Sequence, residues 1–443
     1  MPQLPGYWSL LYLPFGLIGL SFMVFVHELG HFLAAKSVGV RVHTFSIGFG
    51  KKLLRWKKGD TEYCLSAIPF GGYVAMAGEN PDEGGYGATD EFQQKSVGAR
   101  IFIAVAGPAA NIAFAIAILF GLYLVGVQEP KGAVIVGQVA GNSAAEKAGV
   151  LPGDELLSFD GKPVRSWEDF VQEAALSGSA PRPLEVARGG ETKRLTLAPE
   201  MDARFGIALT GLVGTWDIGA RRVLPGSPAE KAGLKTGDII QSIDGEPVST
   251  SIALVEMVNG SKGRPLTLGL ARDGKPVTLT VTPRLDDADK RWRIGIELAS
   301  IVPTHTVRRG VAESFKASLA TTWGHATLIF RTLGRIFTGD VKLKALSGPL
   351  GIVQMISGTL QQGMQQFLQF TALLNTNLGV MNLLPLAITD GGLILLLLIE
   401  AIRRKPVSPK VQGAINRVGM SFFIALALFI TFHDILRIPM FLN

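Results

Sequence analysis

Long uncharged runs alternate with blocks of charge along this chain. Trp8 to Val26 carries no charge, and its apolar character persists through His27, Glu28 and His31 to Ala35. Ile101 to Val127 is uncharged throughout. Phe367 to Ile399 contains one charged residue, Asp390, and Val418 to Phe432 is apolar but shorter. A hydrocarbon core about 30 Å thick takes about 20 helical residues to cross. The pattern therefore predicts about four transmembrane helices, the last one needing its flanks.

Charge then orients the chain. Lys36, Arg41, Lys51, Lys52, Arg55, Lys57 and Lys58 follow the first run, and Arg403, Arg404, Lys405, Lys410 and Arg417 separate the third from the fourth. By the positive-inside rule both loops are cytoplasmic, which places both termini and the long 128–366 segment outside. The same loops account for the net charge of +7, and no basic face interleaved with aromatics points to nucleic acid. Cys64 is the only cysteine, so no intrachain disulfide can form. The first apolar run lacks a basic leader and a small-residue cleavage site, and reads as a retained span.

The segment outside repeats itself at an offset of 84. Ser143-Ala-Ala-Glu-Lys-Ala-Gly149 matches Ser227-Pro-Ala-Glu-Lys-Ala-Gly233, Gly153-Asp154 matches Gly237-Asp238, and Asp160-Gly161 matches Asp244-Gly245. Each copy reads as a short helix ending at glycine, an apolar strand and an Asp-Gly turn. These copies resemble PDZ domains of the circularly permuted bacterial kind. The resemblance implies a groove that adds an extended peptide as a strand, with Phe205, Gly206 and Ile207 in one copy and Ile294, Gly295 and Ile296 in the other receiving its carboxylate. A size filter that binds nothing tightly fits the same fold.

After the repeat, Phe315, Leu319, Trp323, Ala326, Phe330, Leu333 and Phe337 recur every three or four residues with Lys316, Arg331 and Arg335 among them. They predict an amphipathic helix, lying at the outer interface or packed on the repeat.

The chemistry concentrates at His27-Glu28-Leu29-Gly30-His31. On a helix, spacing of four puts both imidazoles on one face to bind one zinc ion, with Glu28 beside them as general base. Three ionisable groups at the end of an apolar span are costly unless they line a watered cavity or hold an ion. Catalytic zinc usually takes three protein ligands, and Asp390 is the remaining intramembrane ionisable residue, with no Lys or Arg inside any span to pair with it. Pro385 and the glycine pair Gly391-Gly392 should break the helix there.

With these residues assembled, the chain resembles the site-2 protease family of intramembrane zinc metalloproteases nearly end to end. Matching stretches include Phe45 to Gly50, Ile68 to Val74, Gly107 to Asn111 and Thr338 to Leu343. The resemblance implies His27, His31 and Asp390 as ligands to one Zn2+ per chain, Glu28 as general base, and Asn382 and Pro385 in substrate handling. Where the family usually has Pro and Leu, this chain has Ala387 and Thr389, and the Thr389 hydroxyl could donate to Asp390. Tyr63 to Ile68 and Gly72 to Met76 read as two short strands around a turn. The family implies a hairpin dipping into the membrane, with Ile68, Phe70, Gly71, Gly72 and Tyr73 against substrate; an ordinary cytoplasmic hairpin is the alternative.

The expected fold is thus a polytopic α-helical membrane protein with a membrane-associated β-hairpin and two periplasmic permuted PDZ domains. Its parts are 1–127 with the zinc motif, PDZ domains at 128–212 and 213–300, an interfacial region at 301–366, and 367–443 with the third ligand. The implied enzyme is a monomer in the inner membrane, cutting single-span proteins such as an anti-sigma factor, with signal-peptide remnants as further substrates. A metal transporter should show ionisable residues on several helices and an inverted repeat, and neither is visible. A dead peptide-binding scaffold gives no reason for Glu28 beside both histidines.

Overall fold

The computed structural model describes residues 6–79, 87–202, 206–248, 250–286, 290–302 and 304–442. They form two compact units: one holds Gln128–Thr306 and Gly334–Ala345, and the other holds the chain up to Val127, Val307–Leu333 and the chain from Leu346 onward.

In the second of these, the helices are α1 (Gly6–Ser37), α2 (Val97–Val125), the first part of α3 (Val311–Thr338), α4 (Pro349–Gln362), α5 (Met364–Leu383), α6 (Asp390–Arg403) and α7 (Pro409–Leu442). Three helical stretches among the described residues are long and apolar enough to cross a membrane: Pro14–Ser37, Val97–Val125 and Lys410–Asp434. The third apolar run is not one helix. It divides into α5 and α6 around residues 384–389, because Pro385 has no N–H to continue the ladder and its ring crowds the preceding turn. The Thr389 hydroxyl is hydrogen-bonded to the carbonyls of Leu384 (2.7 Å) and Leu386 (3.1 Å). Its proton stitches the break together and is not spent on Asp390.

Helices α1 and α2 touch backbone to backbone. A side chain at Gly30 would bring its Cβ within 2.3 Å of the Ala106 carbonyl oxygen, the close approach that small residues permit between apolar helices. At the N-terminal end of α2, buried Arg100 pairs with Glu400 of α6. Asp434 of α7 is buried and accepts hydrogen bonds from the amides of Gly348 (3.1 Å) and Gly351 (2.9 Å). It caps α4 from another helix, since Gly348 at the N-cap has no side chain to do so.

Helix α3 reverses soluble-protein logic. Ser314, Ser318 and Thr322 are buried, while Phe315, Leu319, Trp323, Phe330 and Phe337 are exposed. Thr321 bonds to the Tyr123 hydroxyl at 2.8 Å. The apolar stripe therefore faces outward, not onto a protein core.

Strands β1 (Val42–Lys58) and β2 (Thr61–Met76) make a folded-over sheet. Thr44 to Ile47 lie between Glu62 to Leu65 on one side and Gly72 to Ala75 on the other, while Leu54 to Lys58 pair with Thr61 to Leu65. The expected pair of short strands is therefore corrected: the first part of β1 runs between the two halves of β2. Among the described residues no strand pairs on the far side of Gly72 to Ala75.

The other unit contains the repeat. Phe159, Phe170, Leu184, Val186 and Leu197 are buried in the first copy, and Ile243, Leu254, Leu268, Leu270 and Val281 fill the matching positions of the second. Arg188 clamps buried Asp154 and the Gly149 carbonyl, just as Arg272 clamps Asp238 and the Gly233 carbonyl. These clamps explain the Gly-Asp signature: the aspartate and arginine tie the strand pair to the end of the short helix. Arg272 holds the Asp238 carboxyl below the usual carboxylate range. A depressed carboxyl stabilises the fold above its ordinary pKa of about 4 and loses that effect as pH falls through the folded value. Arg272→Ala should lower the thermal midpoint by several degrees at pH 7, and the gap to wild type should narrow below about pH 4. Tryptophan-monitored melts at both pH values check this; a gap independent of pH would show that Asp238 does not carry the effect.

Candidate active site

Apolar helix α1 brings His27 and His31 to one face a turn apart, both buried. Helix α2 runs antiparallel beside it. His31 Nδ1 donates to the Ile103 carbonyl at 2.8 Å, and its ring lies where a Cβ on Gly107 would intrude, 2.2 Å from Nε2. One turn along, His27 Nδ1 meets the side-chain amide of Asn111 at 3.1 Å. Glycine at 107 is thus required by the imidazole opposite.

The third element is the break. Asp390 opens α6, and a Cβ on Gly392 would stand 1.9 Å from the Leu386 carbonyl oxygen, so only glycine admits this tight turn. The turn delivers Asp390 Oδ2 to 3.1 Å from His27 Nε2 and Oδ1 to 3.4 Å from His31 Nε2; the two Nε2 atoms are 3.1 Å apart. Ligands about 2.0–2.2 Å from a tetrahedral zinc ion lie about 3.3–3.5 Å from one another, close to this triangle. Asp390 Oδ2 is buried without a hydrogen bond, a state that a cation relieves. The donor set and its spacing fit zinc.

Glu28 stands beside the triangle. The Val74 backbone hydrogen-bonds to its carboxylate, and its Cγ would lie 3.2 Å from a Cβ on Gly72. Together these residues line a cavity of about 300 Å³, with Tyr73, Met76, Asn382 and Thr389 also on its walls. The cavity therefore joins two imidazoles, three carboxylates (Glu28, Glu79 and Asp390) and a strand.

The remaining expected residues fall as follows. The Asn382 amide is 3.3 Å from His27 Nε2, and Pro385 is exposed within the break. Ile68 is exposed, Gly71 takes a positive φ of 117°, and the Tyr73 ring stacks on Phe49. Phe70 lies in β2, but its side chain is outside the described set, as is Phe205 entirely.

The groove residues of the first repeat need correction. Gly206 and Ile207 sit in the connection before Ala208–Leu209, where the Gly206 amide donates to Asp202 and the Asp202 amide to Ile207. Gly211, not Gly206, matches Gly295: a Cβ at either would strike its own helix-capping serine, Ser143 or Ser227, at 2.2 or 2.3 Å. The strand after it, Leu212–Gly214, pairs with Val136–Val139, as Ile296–Ile301 pairs with Asp217–Val223. Applying the offset of 84 backward from Ile294 would have found Thr210 to Leu212.

Three partners escaped the sequence reading: Asn111, the Ile103 carbonyl and the Arg100–Glu400 pair. A signal for the first existed. Gly107 and Asn111 repeat the spacing of four seen in His27 and His31, within an uncharged run.

Comparison with known proteins shows the family. Residues 15–426 match the model of peptidase family M50. The chain is 35% identical over 448 residues to the regulator of sigma-E protease RseP of Escherichia coli (strain K12), covering 95% of this chain and 98% of that one. It is 33% identical over 444 residues to the regulator of sigma E protease of Haemophilus influenzae, with the same coverage. Among solved structures, the PDZ domain of an SdrC-like protein from Listeria monocytogenes aligns with 20% of this chain and 92% of its own length, at 22% identity and a TM-score of 0.18. With a family match spanning nearly all of its length, the chain belongs to peptidase family M50 and is a site-2-type metalloprotease.

Proposed function

We propose that this enzyme hydrolyses peptide bonds within the transmembrane segments of single-span proteins, with one zinc ion held by His27, His31 and Asp390. The observation that carries this reading is the convergence, at the end of an apolar helix, of three metal-binding side chains, a further carboxylate and an open strand edge. When bound, zinc polarises the scissile carbonyl and makes water acidic near neutral pH. Glu28 takes the proton of the attacking water and returns it to the departing amine.

A helical substrate hides its peptide bonds in i→i−4 hydrogen bonds and must unwind first. The outer edge at Gly71, Gly72 and Tyr73 offers replacement backbone partners, with Ile68 and Phe70 at the bend before it. Asn382 and Pro385 meet the unwound segment from the opposite side of the break.

Helices α1, α2 and α7, with the α5–α6 pair as the remaining crossing, make four spans of an inner membrane. The cationic loops lie in the cytoplasm, and the termini and the 128–366 segment in the periplasm. The exposed stripe of α3 supports its lying at the outer interface. The repeats screen substrates, through grooves at Thr210 to Leu212 and Ile294 to Ile296 or by size. Substrates of this class are membrane-bound anti-sigma factors and leftover signal peptides, and the enzyme acts as a monomer.

Glu28→Gln should keep zinc and fold but lose about 10²–10⁴-fold in cleavage of a tagged single-span substrate by purified protein. Wild-type turnover in that variant would remove Glu28 from the mechanism. Asp390→Asn should weaken zinc retention at least about 10–100-fold, and Asp390→Ala should do worse. Zinc per chain after dialysis against a weak chelator decides; full occupancy in Asp390→Ala would assign the third ligand elsewhere. Reporter fusions at Glu62 and Lys405 should read cytoplasmic and one at Gly190 periplasmic, and a cytoplasmic signal at Gly190 would invert the topology.

A further inference from the structure

Asn111 is fully buried in the middle of α2, within the uncharged run from Ile101 to Val125. A buried side-chain amide without partners costs free energy, so its presence calls for a task. Its one hydrogen-bonding contact is with His27 Nδ1, at 3.1 Å through Nδ2, while its Oδ1 is buried with no partner.

Resting on the zinc reading above, the geometry fixes which way this amide must point. Both histidines aim Nε2 at Asp390 and at each other. An imidazole that gives its Nε2 lone pair to a metal carries its proton on Nδ1. His31 satisfies that proton with the Ile103 carbonyl. The proton of His27 meets Asn111, and an amide nitrogen there would set donor against donor. Amide oxygen and nitrogen have nearly the same shape, so their assignment follows from the hydrogen-bond network. Rotating the carboxamide by half a turn places Oδ1 on the His27 N–H and removes the conflict.

We infer that Asn111 is the positioning residue of His27: its carboxamide oxygen accepts the Nδ1 proton, holding the imidazole in the metal-binding tautomer and orientation. The two histidines are then supported alike from α2, one by a main-chain carbonyl and the other by a side-chain carbonyl. Asn supplies the oxygen without adding a charge to the span.

The test is zinc affinity of the purified full-length chain, measured by competition with a chromogenic chelator, for wild type, Asn111→Leu and Asn111→Asp. Leucine has a similar branched shape and no acceptor, and should weaken zinc about 10–100-fold. Aspartate is an acceptor only and should bind zinc at least as tightly as wild type. The visible bands of the cobalt(II)-loaded protein should be kept in Asn111→Asp and shifted in Asn111→Leu. Wild-type affinity in Asn111→Leu would show that Asn111 only packs. An equal loss in Asn111→Asp would show that the N–H, not the oxygen, faces His27. If Asn111→Leu does not fold, Asn111→Asp alone decides by the same criterion. Failure of wild type to bind zinc at all overturns the ligand reading beneath this one, and is told apart by the wild-type titration.

Discussion

Everything around the active site follows from the register in which α1 passes α2. His27 stands opposite Asn111 and His31 opposite Gly107, two i, i+4 pairs facing each other across antiparallel helices. That register holds only if the backbones meet at Gly30 and Ala106, where any side chain would push the imidazoles away from their supports. Because ligand distances tolerate only tenths of an ångström, the helix contact is a chemical requirement as much as a packing one. α2 also holds α6 through Arg100 and Glu400, so the helix that contributes no member of the His27, His31 and Asp390 cluster positions all three.

Three carboxylates of the helical unit find their partners on another element. Glu400 has Arg100, Asp434 has two backbone amides of the α4 entry, and Asp390 faces the nitrogens of His27 and His31. Polar groups in hydrocarbon are expensive when unpaired, so such pairings also specify which helices neighbour which. The otherwise lightly packed α7 is tied at Asp434, and Gly419 admits Ala387 to within van der Waals reach. The alanine that departs from the family's usual proline thus sits under a glycine of the last helix.

Much of this was legible in residue order. Hydropathy gives the apolar runs, the 84-residue offset gives two equal cores, and His-x-x-x-His with a lone distant Asp390 names three residues that converge. What was not legible needs knowledge of which faces meet. Asn111 looks like a tolerated polar residue until α1 is laid beside it, and Asp434 lies just beyond the run read as the last span. Thr389 went wrong because a hydroxyl near a helix break has backbone carbonyls within closer reach than any carboxylate. Gly206 and Ile207 do not fall on the groove strand, because the offset of 84, and not a Phe-Gly-Ile string, marks the matching positions. In α3 the periodicity gave the helix but could not say that serine and threonine, not the aromatics, would be inside.

The separation of the clustered residues along the chain bears on how the site is made. His27 and Asp390 lie roughly 360 residues apart, with the whole repeat between them. At synthesis rates of about 5–20 residues per second, the histidine pair is made roughly 20–70 seconds before the aspartate emerges. During that interval the nascent chain holds two members of the cluster of His27, His31 and Asp390 and cannot close it. The cluster is therefore completed only when synthesis is nearly over, by the order of translation alone.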